Sequence, residues 1–383
     1  MGFFDKEIDR RSTNCEKWNR YKEKDVIPAW VADADFSAPL PVIEALKKRV
    51  EHGIFGYTAM DDATVQAVID FTKRHHNWEI QKEWVVWVNG VVSSMNLVCK
   101  MLPSSSSVIT TTPIYPHFTK APKNSNLDTI KVPMREIGDR WSINFEEFEK
   151  KISSTCKLFL LCNPYNPGGT VFTKNELEKL GSICKKHDIF ICSDEIHADL
   201  VINPQAKHIP IASLNEDLKN RTITLMAPSK TFNIAGLQSS FAIIPDKKLR
   251  LGFQKQLRGL GGEINLLAIT ATKAAYSEGD KWLEELKIYL KENLGLVKKF
   301  IKKNKSLKML SCDATYLAWI DCNNLKQKNP YEFFLKFGVG LSEGENFGDK
   351  NFIRLNFATS KKNLEEILKR MQEAINSITS QPC

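Results

Sequence analysis

The chain has no apolar stretch approaching the roughly 18 residues that cross a bilayer, so no membrane span is expected. Its first residues, Met1-Gly2-Phe3-Phe4-Asp5-Lys6-Glu7, carry charge where a secretion signal needs an apolar core. Lys6 also stands where N-myristoylation wants serine or threonine. None of the cysteines forms a Cys-x-x-Cys pair; they number nine, an odd count, and lie scattered, which fits a reducing compartment better than a zinc site. The seven histidines show no His-x-x-x-His or His-Glu-x-x-His pattern, so no metal centre is expected. There is no internal repeat, and Ser104 to Ser107 is the sole low-complexity stretch. A cytoplasmic protein is the expectation.

What is present describes an ordinary folded chain. Of its 383 residues, 42% are hydrophobic and 26% charged, which rules against disorder. That length exceeds one small core, so two unequal domains are expected. The net charge of +9 is modest, and its densest basic run is Lys298 to Lys305. Phe300 and Ile301, with Leu294 and Val297 before them, make this a helix with a lysine-rich solvated face rather than a nucleic-acid patch. Short β-rich runs alternate with helical patterns through the middle of the chain. Trp84–Val88, Val108–Thr111, Lys157–Cys162, Ile189–Cys192 and Thr222–Met226 read as strands; Asn175–Lys186 has Leu177, Leu180, Ile183 and Cys184 at helical spacing. This predicts an α/β fold: a mostly parallel sheet covered by helices in three layers. The last hundred residues differ, with a long helix near Trp282–Lys303, strands at Thr315–Asp321 and Phe352–Phe357, and a final helix from Lys362. The expected division is an N-terminal segment 1–45, packing on the small domain or a partner subunit, a large domain 46–280 and a smaller α+β domain 281–383.

Four candidate residues fall at predicted strand ends: Gly90, Asn166, Asp194 and Lys230. Asn166 to Asp194 spans 28 residues and Asp194 to Lys230 spans 36, each about one β-α-β unit. Parallel strands would place all such ends on one edge of the sheet, where open α/β folds bind ligands. Each has a plainer reading alone. Lys230 could be a surface lysine, Asp194 a helix cap, Asn166 loop punctuation and Gly90 a turn glycine. Together, a desolvated lysine and a buried carboxylate suit pyridoxal phosphate, which needs an amine to bind it and an acid to keep its ring nitrogen protonated. Gly90, with Ser93 and the amides of a helix start, would cradle a phosphate.

Beside these residues the chain carries the motifs Trp30-Val31-Ala32-Asp33-Ala34-Asp35-Phe36, Phe55-Gly56-Tyr57, Ser193-Asp194-Glu195-Ile196-His197, Ala227-Pro228-Ser229-Lys230-Thr231-Phe232-Asn233 and Thr315-Tyr316-Leu317-Ala318-Trp319. The chain resembles, nearly end to end, the fold-type I pyridoxal-phosphate enzymes of the class I/II aminotransferase superfamily. Within it the chain is most similar to the MalY/PatB group of cystathionine β-lyases. The resemblance implies that Lys230 binds the cofactor and moves the substrate's α-proton. It implies that Asp194 pairs with the ring nitrogen, Asn166 bonds the ring oxygen and Tyr115 stacks on the ring. Val92 and Ser93 would take the phosphate, with Ser229 and His197 in the same set. Tyr57 would reach the phosphate of a neighbouring subunit, making a homodimer; Arg354 would clamp the substrate carboxylate, beside Ala32.

Three departures from the superfamily pattern bear on the reaction. His197 stands where transaminases commonly have tyrosine, Ala227 where a phosphate-binding serine or threonine is common, and Gln238 where many members have arginine. The last two shift phosphate anchoring toward Ser229, Thr231 and Tyr57; His197 and Gln238 lean toward a lyase. Gly168 replaces the usual threonine of the Asn-Pro-Thr-Gly signature, a change expected to be harmless. The implied activity is β-elimination from a small-molecule amino acid, L-cystathionine or a related cysteine S-conjugate. The alternatives are an aminotransferase and a regulator acting through protein contacts. Glu343 adds a charge near the expected mouth, without an assigned role.

Overall fold

The runs expected to be buried strands are covered on both faces. Thr222–Met226 is buried at every residue, and Leu158 to Cys162 likewise, as befits parallel strands between helical layers. The computed structural model describes residues 2–260 and 263–379. Its strands, in chain order, are β1 (Ile27–Pro28), β2 (Val85–Asn89), β3 (Ser107–Thr112), β4 (Asp128–Ile137), β5 (Arg140–Ile143), β6 (Cys156–Cys162) and β7 (Phe190–Asp194). They continue with β8 (Thr222–Met226), β9 (Ser239–Ile243), β10 (Leu317–Asp321), β11 (Val339–Gly340), β12 (Ser342–Glu343) and β13 (Phe352–Asn356).

Among the described residues, eight strands form one sheet in the order β2-β9-β8-β7-β6-β3-β4-β5. The run from β8 to β4 is parallel, while β9 lies antiparallel to both β8 and β2. Two reversals leave β2 parallel to β8. The carboxyl ends of β2, β6, β7 and β8 therefore share one edge, joined there by the amino end of β9. Along β9 and its exit, Phe241 and Ile243 enter one apolar cluster and Ala242 and Ile244 the other. This alternation shows the sheet parting two cores, the middle of three layers.

The helix Lys174–Lys186 shows how the covering layer is specified. Thr173 and Glu176 form a reciprocal capping box, and Leu177, Leu180, Ile183 and Cys184 make the buried stripe. The helix Asp280–Lys303 buries Leu283, Leu286, Leu290, Leu294 and Val297, while Lys298, Lys299, Lys302 and Lys303 stay exposed. A second sheet, β10-β13-β12, is antiparallel, and β1 pairs with β11 in parallel. The strand expected from Thr315 begins only at Leu317. Thr315 has φ 73°, and its Oγ1 accepts from the Leu317 amide at 3.1 Å, a local turn that competes with the strand.

Candidate active site

The shared strand edge opens into a cavity of about 710 Å³ whose lining includes Gly90, Val92, Ser93, Tyr115, Asn166, Asp194, His197, Ser229, Lys230 and Arg354. Lys230 lies on the short helical turn Pro228–Thr231 directly after β8; Pro228 begins that turn, where its missing N–H is harmless. The Lys230 Nζ donates to the Ala32 carbonyl at 2.6 Å. Burial lowers its pKa, against the pull of Asp33 and Asp194.

Asp194 ends β7, one strand away. Its Oδ1 accepts from the Ile196 amide at 3.1 Å, and no ion pair reaches it among the described residues. Burial pushes this carboxyl up to about 7, with neighbouring Glu195 raising it further and Lys230 opposing. His197 is also enclosed; burial first, then Lys230 and Arg354, hold it down at about 3, so it is neutral. Its Nδ1 has no partner among the described residues, and its ring stands edge-on to Tyr316 at 6.2 Å.

Arg354 comes from the other sheet. It sits on the middle strand, β13, opposite Trp319 on one side and Ser342 on the other, rather than on an exposed edge. Its Nη1 donates to Asn166 Oδ1 at 3.0 Å, and its Nη2 to the Trp30 carbonyl at 3.0 Å and Ser342 Oγ at 3.2 Å. Phe347 lies 4.5 Å from the guanidinium carbon, and Nε is unpartnered among the described residues. Burial lowers its pKa to about 10, leaving a cation that is short of counter-charge. Asn166 thus spends its carbonyl oxygen on Arg354 and keeps its amide N–H groups for another acceptor.

Part of the cavity lining is the start of a helix. Gly90, at φ 87°, turns the chain from β2 into the helix Val91–Lys100, and Val92 and Ser93 are in its first turn. The Gly90 amide is bonded to the Val88 carbonyl at 3.0 Å, so the amides of Val91, Val92 and Ser93, with the helix dipole, are the groups that favour an anion there. Tyr115 lines the same wall, its ring 5.1 Å from His117 and its phenol pKa raised by burial. Ala32 contributes its carbonyl, which also accepts from Tyr316 Oη at 3.1 Å. Glu343 lies at the rim, accepting from Asn329 Nδ2 at 3.2 Å.

Two expected residues lie elsewhere. Thr231 turns away from the cavity lining and donates to buried Asp199 at 2.6 Å, so its hydroxyl is already engaged. Tyr57 is fully exposed, on the loop between the helices Leu40–Glu51 and Asp62–His76. Several lining residues had no assigned part in the sequence reading: Ser239, Ser240, Glu16, Arg20, His117, Asn346 and Phe347. The serines arrive through the reversal of β9. A serine pair after Gln238 was the available signal; the others are brought in by tertiary folding alone.

The family model for aminotransferase class I and II matches residues 31–371. Cystathionine β-lyase PatB of Bacillus subtilis is 38% identical over 387 residues, covering 97% of this chain and all of that protein. The solved structure of OvoB superposes with a TM-score of 0.96 at 40% identity, covering 98% of this chain and 99% of that one. Cystalysin of Treponema denticola, whose structure contains pyridoxal 5′-phosphate, gives 0.94 at 34% identity with the same coverage.

Proposed function

The chain belongs to the aminotransferase class I and II family, and from that premise we propose a pyridoxal-phosphate-dependent carbon–sulfur β-lyase. Its substrate is L-cystathionine or a related cysteine S-conjugate. The Cα–H and Cβ–S bonds break, one water is consumed, and pyruvate, ammonia and a thiol are released.

The observation that carries the cofactor is Asp194. A buried carboxylate with no cation bonded to it among the described residues calls for a positive partner, and a protonated ring nitrogen is one. The rest of the lining fits the same group. Lys230 offers an amine, Asn166 amide hydrogens, Tyr115 a ring face, Val92 and Ser93 amides for the phosphate, with Ser229 and His197 alongside. When bound, the cofactor supplies an electron-withdrawing ring that stabilises the charge left when the α-proton departs.

The chain's residues do the positioning and proton work. Burial favours the neutral form of Lys230, whose Nζ accepts the α-proton. Arg354 holds the substrate carboxylate through its planar fork, replacing bonds it now makes to Asn166, Trp30 and Ser342. Asp194 would pair as a carboxylate with the positive ring nitrogen and so hold the proton there. Loss of a thiol, rather than amino transfer, is favoured by the full-length likeness to PatB and by His197 and Gln238.

The enzyme acts in the cytoplasm as a homodimer. Tyr57 stands exposed with Ile54 and Phe55, an apolar projection suited to a second copy whose phosphate site Tyr57 completes. The reaction is tested by supplying L-cystathionine without a keto acid and measuring pyruvate and free thiol. Both are expected in equal amounts. Amino transfer to an added keto acid with no thiol released would sink the lyase reading in favour of an aminotransferase.

A further inference from the structure

Resting on that lyase reading, we propose that Glu16 and Arg20 form a subsite for the far end of the substrate, selecting thiol halves that carry their own ammonium and carboxylate. Both residues line the cavity that holds Lys230 and Arg354, at its open side. They stand one helical turn apart, for the Arg20 amide donates to the Glu16 carbonyl at the end of the helix Glu16–Asn19.

Opposite charges in this order, glutamate four residues before arginine, ordinarily pair along a helix. Here neither enters an ion pair among the described residues. Arg20 is turned instead onto aromatic rings. Its guanidinium carbon lies 4.6 Å from the Trp30 ring and 5.9 Å from Tyr331, whose hydroxyl accepts from Nη2 at 3.4 Å. Stacking leaves a guanidinium's edge free to bind a carboxylate. The Glu16 charge reaches into the cavity far enough to raise the Tyr115 phenol, behind burial and Asp194. Glu343, the other rim carboxylate, is engaged by Asn329.

The helix carrying the pair is rigidly placed. Lys17, between them in sequence, is 1% exposed and bonds Asp35 at 2.8 Å, while Arg10 bridges Asp33 and Asp35. The Trp30 indole N–H donates to the Lys17 carbonyl at 3.1 Å, and the Trp30 carbonyl accepts from Arg354. The arginine at the rim and the arginine in the depth are therefore tied through one tryptophan. A substrate with an amino-acid group at each end meets charge of the right sign at both: Arg354 for the near carboxylate, Arg20 for the far carboxylate, Glu16 for the far ammonium.

The test compares two substrates with the same reacting end. L-cystathionine has a charged thiol half; S-methyl-L-cysteine has only a methyl group. For Arg20→Gln and Glu16→Gln in the loaded enzyme, KM for L-cystathionine is expected to rise about tenfold, with kcat within about twofold and both constants for S-methyl-L-cysteine unchanged. An equal change for both substrates overturns the proposal, since the residue would then act on the fold or the shared machinery. No change for either overturns it as well. A wild-type enzyme that releases neither pyruvate nor thiol from either substrate refutes the lyase reading itself, which is a distinct outcome.

Discussion

Lys230 and Asp194 face one cavity, and burial disfavours the charged form of both, lowering the lysine's pKa and raising the aspartate's. Replacing Lys230 with alanine is expected to lower lyase turnover by more than about a thousandfold while the thermal midpoint moves little; kinetics and a melt on the same sample check both. For Asp194 the sign is set by linkage. Its folded pKa, about 7, lies above the ordinary 3.8, so the native chain binds the extra proton. In the cofactor-free chain this group is harmless below about pH 4, and its stability penalty grows as pH rises through 7. Asp194→Asn should therefore melt higher than the parent at pH 8 and alike at pH 4 without cofactor. Added pyridoxal phosphate should reverse the pH 8 ranking, because only the aspartate gains a charged partner. Burial, which makes these residues informative, was the part their sequence neighbourhoods hinted at least securely. Lys230 after an apolar strand looks like many surface lysines until Asp194 and Asn166 fall at matching strand ends.

At the scale of elements, the parallel strands were legible because they are continuous apolar runs ended by proline, glycine or a polar residue. Strands β4 and β5 were not. Asp128 to Ile137 mixes Asp128, Lys131, Arg135 and Glu136 with apolar residues, as an edge hairpin does, and no pattern stands out. Strand β9 was missed because Ser239-Ser240 hides its start, and with it went two of the lining hydroxyls. The helix start after Gly90 was foreseen, yet its use depends on that glycine, whose φ of 87° a side chain would strain. Gly90→Ala should destabilise the chain by about 1–2 kcal/mol and weaken cofactor affinity by moving the first helical turn; a urea titration and a cofactor titration separate the effects. A contrasting substitution lies away from the site. Thr173→Ala removes one half of a capping box, so it should lower stability by about 1 kcal/mol with kcat unchanged.

For the whole molecule, the cavity is assembled from two sheets and an N-terminal strap, so no single stretch of sequence contains it. Arg354 and Lys230 are 124 residues apart in number (354 minus 230) and meet across the Trp30–Ala32 carbonyls. That convergence is set by topology, and only the family resemblance anticipated it. The proposed dimer makes a further demand. Tyr57→Ala should leave the subunit fold intact but weaken cofactor binding, and Phe55→Asp should shift sedimentation toward the monomer. An unchanged dimer in both, with cofactor affinity intact, would remove Tyr57 from the phosphate site. The buried Asp194 has one more consequence, for protein turnover in the cell. Newly made chains waiting for vitamin-derived cofactor carry an unneutralised carboxylate in their core, open more often, and present themselves to proteases. Abundance of the enzyme is thus expected to follow vitamin B6 supply, and a pulse-chase in starved and replete cells would read that dependence as a difference in half-life.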